Sequence, residues 1–246
     1  MEDGISPFLP NWQRFSALHR FVAFIADQLF DTDCAGPNLV TVGPERLEPA
    51  LRILPVDAAL KLYEIDDDPF VPPPELREPD TDQTAVQDAY YDYFVELRWS
   101  GAYETLLERI ADEVFFVMFT NRAALHSLNS FLAMYVRDLG PESFVADQSD
   151  LSALFQQDGR IARKAPPRWA RSAVFYREQG RCARCGTDLS GLLSALPVRH
   201  FDHVIPLANG GLNDVTNLQL LCASCNARKA AGDEPPNRRH RRWYRM

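Results

Sequence analysis

Cys182-Ala-Arg-Cys185, then His200-Phe-Asp202-His203-Val-Ile-Pro-Leu-Ala-Asn-Gly-Gly211, then Asn217-Leu-Gln-Leu-Leu-Cys222-Ala-Ser-Cys225-Asn226 form the stretch around which this 246-residue chain is organised. The two Cys-x-x-Cys pairs suit one tetrahedral Zn²⁺, because each wraps the metal from a tight turn while the two turns approach from separate parts of the chain. Between Cys185 and Cys222 lie 36 residues, more than a plain zinc ribbon needs. They carry an Asp-His pair, a Gly-Gly turn and an Asn, so chemistry is expected inside the zinc frame.

On these residues the stretch resembles the HNH endonuclease family, over about residues 166–233. The resemblance implies a ββα-metal (His-Me finger) domain that hydrolyses phosphodiester bonds. The third motif position, directly after Cys225, is Asn226 where His is commoner, an H-N-N variant also seen in the HNH domains of CRISPR-guided nucleases. His203 is the expected general base, since an imidazole takes a proton from water near neutral pH. Asp202 and Asn226 offer hard oxygen donors to a catalytic Mg²⁺ or Mn²⁺, with Ni²⁺ a further candidate. Asn217, 14 residues after His203, completes the catalytic set as a brace that fixes the hairpin's register. His200 is a secondary candidate for substrate contact. Arg228, Lys229 and the tail cations Arg238, Arg239, Arg241 and Arg242 are expected to meet phosphates, with Trp243 and Tyr244 able to stack on bases. The rival reading from another class is a catalytically inactive, zinc-dependent nucleic-acid-binding module.

The net charge of −8 conceals a split. Residues 1–160 carry 11 Lys/Arg against 28 Asp/Glu, whereas residues 161–246 carry 15 against 6. The second part has the footprint of a nucleic-acid binder, DNA being favoured over RNA, and the first would be repelled by phosphate. Residues 1–160 are therefore expected to be a separate acidic domain that docks a partner protein, self-associates or restrains the nuclease. A linker is placed at about 140–168 and the nuclease domain at 166–246.

Apolar residues at three- and four-residue spacing predict a helix over 11–30, and Pro44 opens a short helix through Leu51. Further helices are expected at 56–63, 84–99, 103–119 and 122–139, with an exposed acidic Pro-rich loop at 66–82. The run Val114-Phe-Phe-Val-Met-Phe119 is apolar on all sides and reads as buried. A short helix is expected at 150–157 and another at 169–179. Strands at 199–205 and 218–221 and a helix at 223–231 complete the reading. The fold class is α+β: a mainly helical N-terminal domain followed by the small zinc-stapled domain. No basic leader or long apolar run suggests secretion or a membrane span, so a reducing cytoplasm is expected, where paired cysteines bind metal.

Overall fold

The fold follows from small buried clusters, each collecting the apolar faces of short elements. The computed structural model describes residues 11–32, 40–42, 51–66, 68–77, 81–138, 154–156, 159–191 and 199–229. The helices are α1 (Ala17–Thr32), α2 (Pro55–Leu62), α3 (Gln83–Leu97), α4 (Gly101–Met118), α5 (Arg122–Asp138), α6 (Arg168–Arg177) and α7 (Ala223–Lys229). The strands are β1 (Val40–Val42), β2 (Leu51–Ile53), β3 (Arg199–His203) and β4 (Leu218–Cys222), paired antiparallel as β1–β2 and β3–β4. Residues 43–50, where a helix was expected, lie outside the described residues, and Leu51 begins a strand.

The chain divides into Phe21–Val114 and a second unit made of Met1–Arg20 with Phe115–Met246. The boundary therefore does not follow the change of charge near residue 160. In the first unit Leu54, Val56, Leu60, Phe94, Tyr103 and Leu106 form the core. Its helix ends are set locally: Pro55 opens α2 with its fixed φ, and Asp82 caps α3 by accepting from Thr84 N at 3.0 Å. Ser100 Oγ accepts from Tyr103 N at 3.2 Å, so the expected break before Gly101 is a capped start.

The second unit joins the β3–β4 hairpin and α7 to segments that the charge pattern assigned elsewhere. Leu132 and Val136 of α5 share a buried cluster with Ala17, Ile161, Leu207 and Leu212. Asn129 Nδ2 donates to Thr216 Oγ1 at 3.3 Å. Arg122 pairs with the fully buried Glu178, which Arg177 also meets at 2.8 Å. These contacts tie α5 to the segments around the cysteines, and Ala17 of the shared cluster brings in the start of α1.

Two expectations are corrected here. Phe115 and Phe119 turn inward, stacking at 4.7 Å, but Phe116 and Val117 of the all-apolar run are 83% and 68% exposed. The short helix expected over 150–157 is contradicted from Leu154 on: Phe155 bridges Ile161, and Gly159 turns the chain with φ 75°. Burial of Ile161 in the α5 cluster favours that hairpin-like return. Among the described residues, no helix is long and apolar enough to cross a membrane.

Candidate functional site

The cysteines sit where short backbone turns meet the hairpin. Cys182 N donates to Thr187 O and Gly186 N to Cys182 O, both at 2.9 Å, closing the first knuckle. Ala183 N donates to Leu220 O at 2.8 Å, which anchors the knuckle to β4. Cys222 ends β4 and Cys225 lies in the first turn of α7. All four sulfurs fall within 4.8 Å of one another. Cys185 and Cys222 Sγ are 3.7 Å apart, matching the edge of about 3.8 Å expected of a tetrahedron with Zn–S bonds of about 2.3 Å.

The four thiols act on one another. Burial pushes the Cys222 thiol up, but bonds from Ser224 and the Cys225 N–H outweigh it and bring it down to about 6. Cys185 is also lowered, its bonds to Thr187 overcoming burial. Cys225 moves the other way, up to about 12, through burial, with Arg228 opposing. Thiols this close cannot all ionise without a compensating charge, which a divalent ion supplies. Arg228 donates to Cys225 Sγ at 3.1 Å, so this expected phosphate contact touches the cysteine frame.

β3 pairs with β4 in the register Asp202↔Gln219 and His203↔Leu218. Strand alternation sends His200 and Asp202 to one face and Phe201 and His203 to the other. On the α7 side, Asn226 Nδ2 lies 3.5 Å from His200 Nδ1. Three residues further along α7, Lys229 pairs with Asp202 Oδ2 at 3.0 Å and donates to His203 O at 2.8 Å. Lys229 is only 3% exposed, so it holds the Asp-His backbone instead of standing ready for a phosphate. Asp202 and Asn226 thus flank one helix–strand contact, and His203 is adjacent in sequence but opposite in direction.

His203 is 3% exposed, and neither ring nitrogen makes a hydrogen bond of good geometry among the described residues, although the Asn213 side chain lies near enough to act on the ring. Burial, followed by the Arg163 charge, lowers its pKa to about 4, with the Asp202 charge and the Asn213 amide pulling the other way. The ring is therefore neutral at pH 7, the form that accepts a proton.

Asn217 is fully buried and braces the loop after His203. Its Oδ1 accepts from Ile205 N at 2.8 Å, while Nδ2 donates to Ile205 O at 3.0 Å and Leu212 O at 2.9 Å. The Gly-Gly turn has a double reason: Gly210 takes φ 82° against Ala133 O, and a Cβ on Gly211 would fall 2.0 Å from Ile205 O. The frame is therefore two knuckles, a hairpin and a short helix, with an Asp-His pair at the strand's end.

Residues 182–232 match the HNH endonuclease family model. No curated protein and no solved structure matches the chain. The HNH match begins at the first knuckle cysteine and includes Asp202, His203, Asn217 and Asn226, and it points to nuclease chemistry on nucleic acid. Arg238, Arg239, Arg241 and Arg242 lie outside both the match and the described residues.

Sequence reasoning missed several residues that surround this HNH frame. Asp214 is buried and accepts from Thr216 N at 2.8 Å, Thr216 Oγ1 at 2.7 Å and Ala17 N at 3.0 Å. The Asp-x-Thr spacing was a readable cap signal for the turn at Val215–Asn217. Asn213, Trp12 and Arg163 left no such trace, because their partners lie far away in sequence.

Proposed function

We propose that this chain is a metal-dependent HNH nuclease that hydrolyses phosphodiester bonds in DNA. The observation that carries the reading is the Asp202–His203 pair at the end of β3, locked through Lys229 to the helix that bears Asn226 and Cys225. In this reading the four cysteines hold a structural Zn²⁺, and Asp202 and Asn226 hold Mg²⁺ or Mn²⁺ through oxygen. The donor chemistry fits: Asn226 Nδ2 is turned toward His200, which leaves Oδ1 for a cation, and the Asp202 carboxylate keeps a second oxygen beside the one on Lys229. A divalent cation bound there supplies Lewis acidity to the phosphate and offsets charge on the leaving oxygen.

The chain's own groups do the rest. His203, neutral at pH 7, accepts the proton of the attacking water as the new P–O bond forms and one ester P–O bond breaks; the leaving alkoxide takes a proton from solvent. Lys229 fixes both the Asp202 carboxylate and the His203 carbonyl, so the two functional groups keep their mutual position. Asn217 holds the loop that follows.

One observation favours the rival, a zinc-built binding module without catalysis: His203 is buried and cannot meet water in the described arrangement. Incubation of zinc-loaded chain with supercoiled plasmid separates the two. The nuclease reading expects nicking with added Mg²⁺ or Mn²⁺, abolished by excess chelator, and a higher metal requirement in Asn226→Ala. Retention of plasmid without cleavage under every divalent ion tried would establish the rival. A parallel incubation with RNA tests the preference for DNA.

A further inference from the structure

Trp12 lies far from the matched segment in sequence, yet its ring centroid is 6.1 Å from that of His203, tilted by 37°. Its backbone has φ 50°, an uncommon conformation for a bulky residue. Local contacts hold it there: Trp12 N donates to Asn213 O at 2.9 Å and its indole Nε1 to Lys164 O at 3.1 Å. Asn213, itself buried, ties the same two segments together. Its Nδ2 donates to Asn11 Oδ1 at 2.6 Å and Ala162 O at 2.8 Å, and its Oδ1 accepts from Lys164 N at 3.4 Å. One amide thus fixes residues 11–12 and 162–164 at the end of the Gly-Gly loop.

The result is an aromatic ring and the exposed Arg163 near the buried imidazole, with the exposed Lys164 next in the chain and its backbone bonded to Trp12 and Asn213. Arg163 is close enough to act electrostatically on His203. A strained residue held by several independent contacts is a mark of a functional position. An indole flanked by cations has the chemistry of a surface for single-stranded nucleic acid: cations meet phosphates and the ring stacks on a base. Nothing in the HNH match covers these residues.

We propose that Trp12, Arg163 and Lys164 form a nucleic-acid-binding rim near His203, in which the cations take backbone phosphates and the fixed Trp12 ring stacks on an unpaired base. The inference rests on the nuclease reading of His203 and adds the surface that delivers substrate to it.

The test is fluorescence anisotropy of a labelled single-stranded oligodeoxynucleotide and its duplex with the full zinc-loaded chain, without added Mg²⁺, over a salt series. Arg163→Ala with Lys164→Ala is expected to flatten the log–log salt dependence for the single strand by roughly 1.4, the share of two phosphate contacts. Trp12→Ala is expected to weaken single-strand binding on the order of tenfold, with Trp12→Phe retaining most of it. Duplex binding should suffer less from Trp12→Ala, because paired bases are already stacked. Arg109→Ala, in the other unit, is the control and should match the parent. Zinc content and melting midpoint establish that each variant is folded; the exposed Arg163 and Lys164 keep the test open if Trp12→Ala does not fold. Parental affinity and salt slope in all folded variants would overturn the rim and leave the nuclease reading standing. A parent that binds neither strand nor duplex would overturn both.

Discussion

Asn217→Ala probes the hairpin brace most sharply, because the side chain makes three hydrogen bonds in a fully buried setting. Truncation leaves the Ile205 N–H, the Ile205 carbonyl and the Leu212 carbonyl without partners next to side chains that are each 2% exposed. An unsatisfied buried group costs about 1–3 kcal/mol, so three together cost roughly 3–6 kcal/mol after partial relaxation. That is a large part of the roughly 5–15 kcal/mol that holds a typical domain. The assay is native-state hydrogen exchange at the Ile205 amide in zinc-loaded protein. The expected result is protection lowered by at least about a hundredfold, the equivalent of roughly 3 kcal/mol. Asn217→Asp distinguishes bonding from volume: it has nearly the same shape but turns an acceptor toward two carbonyls, and it should be at least as damaging as Ala. Parental protection in either variant would refute the reasoning.

Three further outcomes follow from the same geometry. Elemental analysis should find one Zn²⁺ per chain, and Cys225→Ser should lose it together with soluble yield, since metal binding and folding are coupled in such frames. Gly211→Ala should destabilise the second unit strongly, because the new Cβ meets backbone at Ile205 O and cannot be relieved by a side-chain rotation; an unchanged melting midpoint would contradict the packing. His203 is depressed to about 4, so as pH falls below the ordinary value near 6.5 the unfolded chain takes its proton first and the folded state loses stability until about pH 4. That window is worth about 3 kcal/mol. Denaturant titrations of parent and His203→Gln should therefore converge or cross in the variant's favour as pH falls, whereas a constant gap would contradict the burial of the ring.

The parts of the molecule legible in the sequence are those whose chemistry is local. The cysteine spacings announced the four-sulfur cluster because each pair needs only one tight turn, and the apolar spacing over residues 11–30 announced α1. Asp202, His203, Asn217 and Asn226 were read from their places in the HNH-like pattern; the structure puts Asp202 and Asn226 on two elements that meet, and Asn217 under the loop after His203. Long-range polar contacts were not legible. Ala17 N reaches Asp214 across 197 positions and Asn11 meets Asn213 across 202, and neither leaves a periodic signal. The charge count consequently grouped residues 11–20 and α5 with an acidic domain, although their buried faces pack in the unit that holds the four cysteines. A cut at residue 161 would strip that unit of Leu132, Val136 and Arg122, so such a fragment does not represent the unit. Lys229 was misplaced for a related reason: in a basic run its charge looks available, but burial against Asp202 fixes its use.

The central claim is that His203 transfers a proton during phosphodiester hydrolysis. The direct measurement is the single-turnover rate of supercoiled plasmid cleavage by the full zinc-loaded chain at saturating Mg²⁺ or Mn²⁺, parent against His203→Ala, with plasmid affinity measured alongside. The account predicts a rate lowered by on the order of a hundredfold or more at nearly unchanged affinity, because the lost contribution belongs to the transition state. A folded His203→Ala variant that cleaves at the parental rate would contradict it.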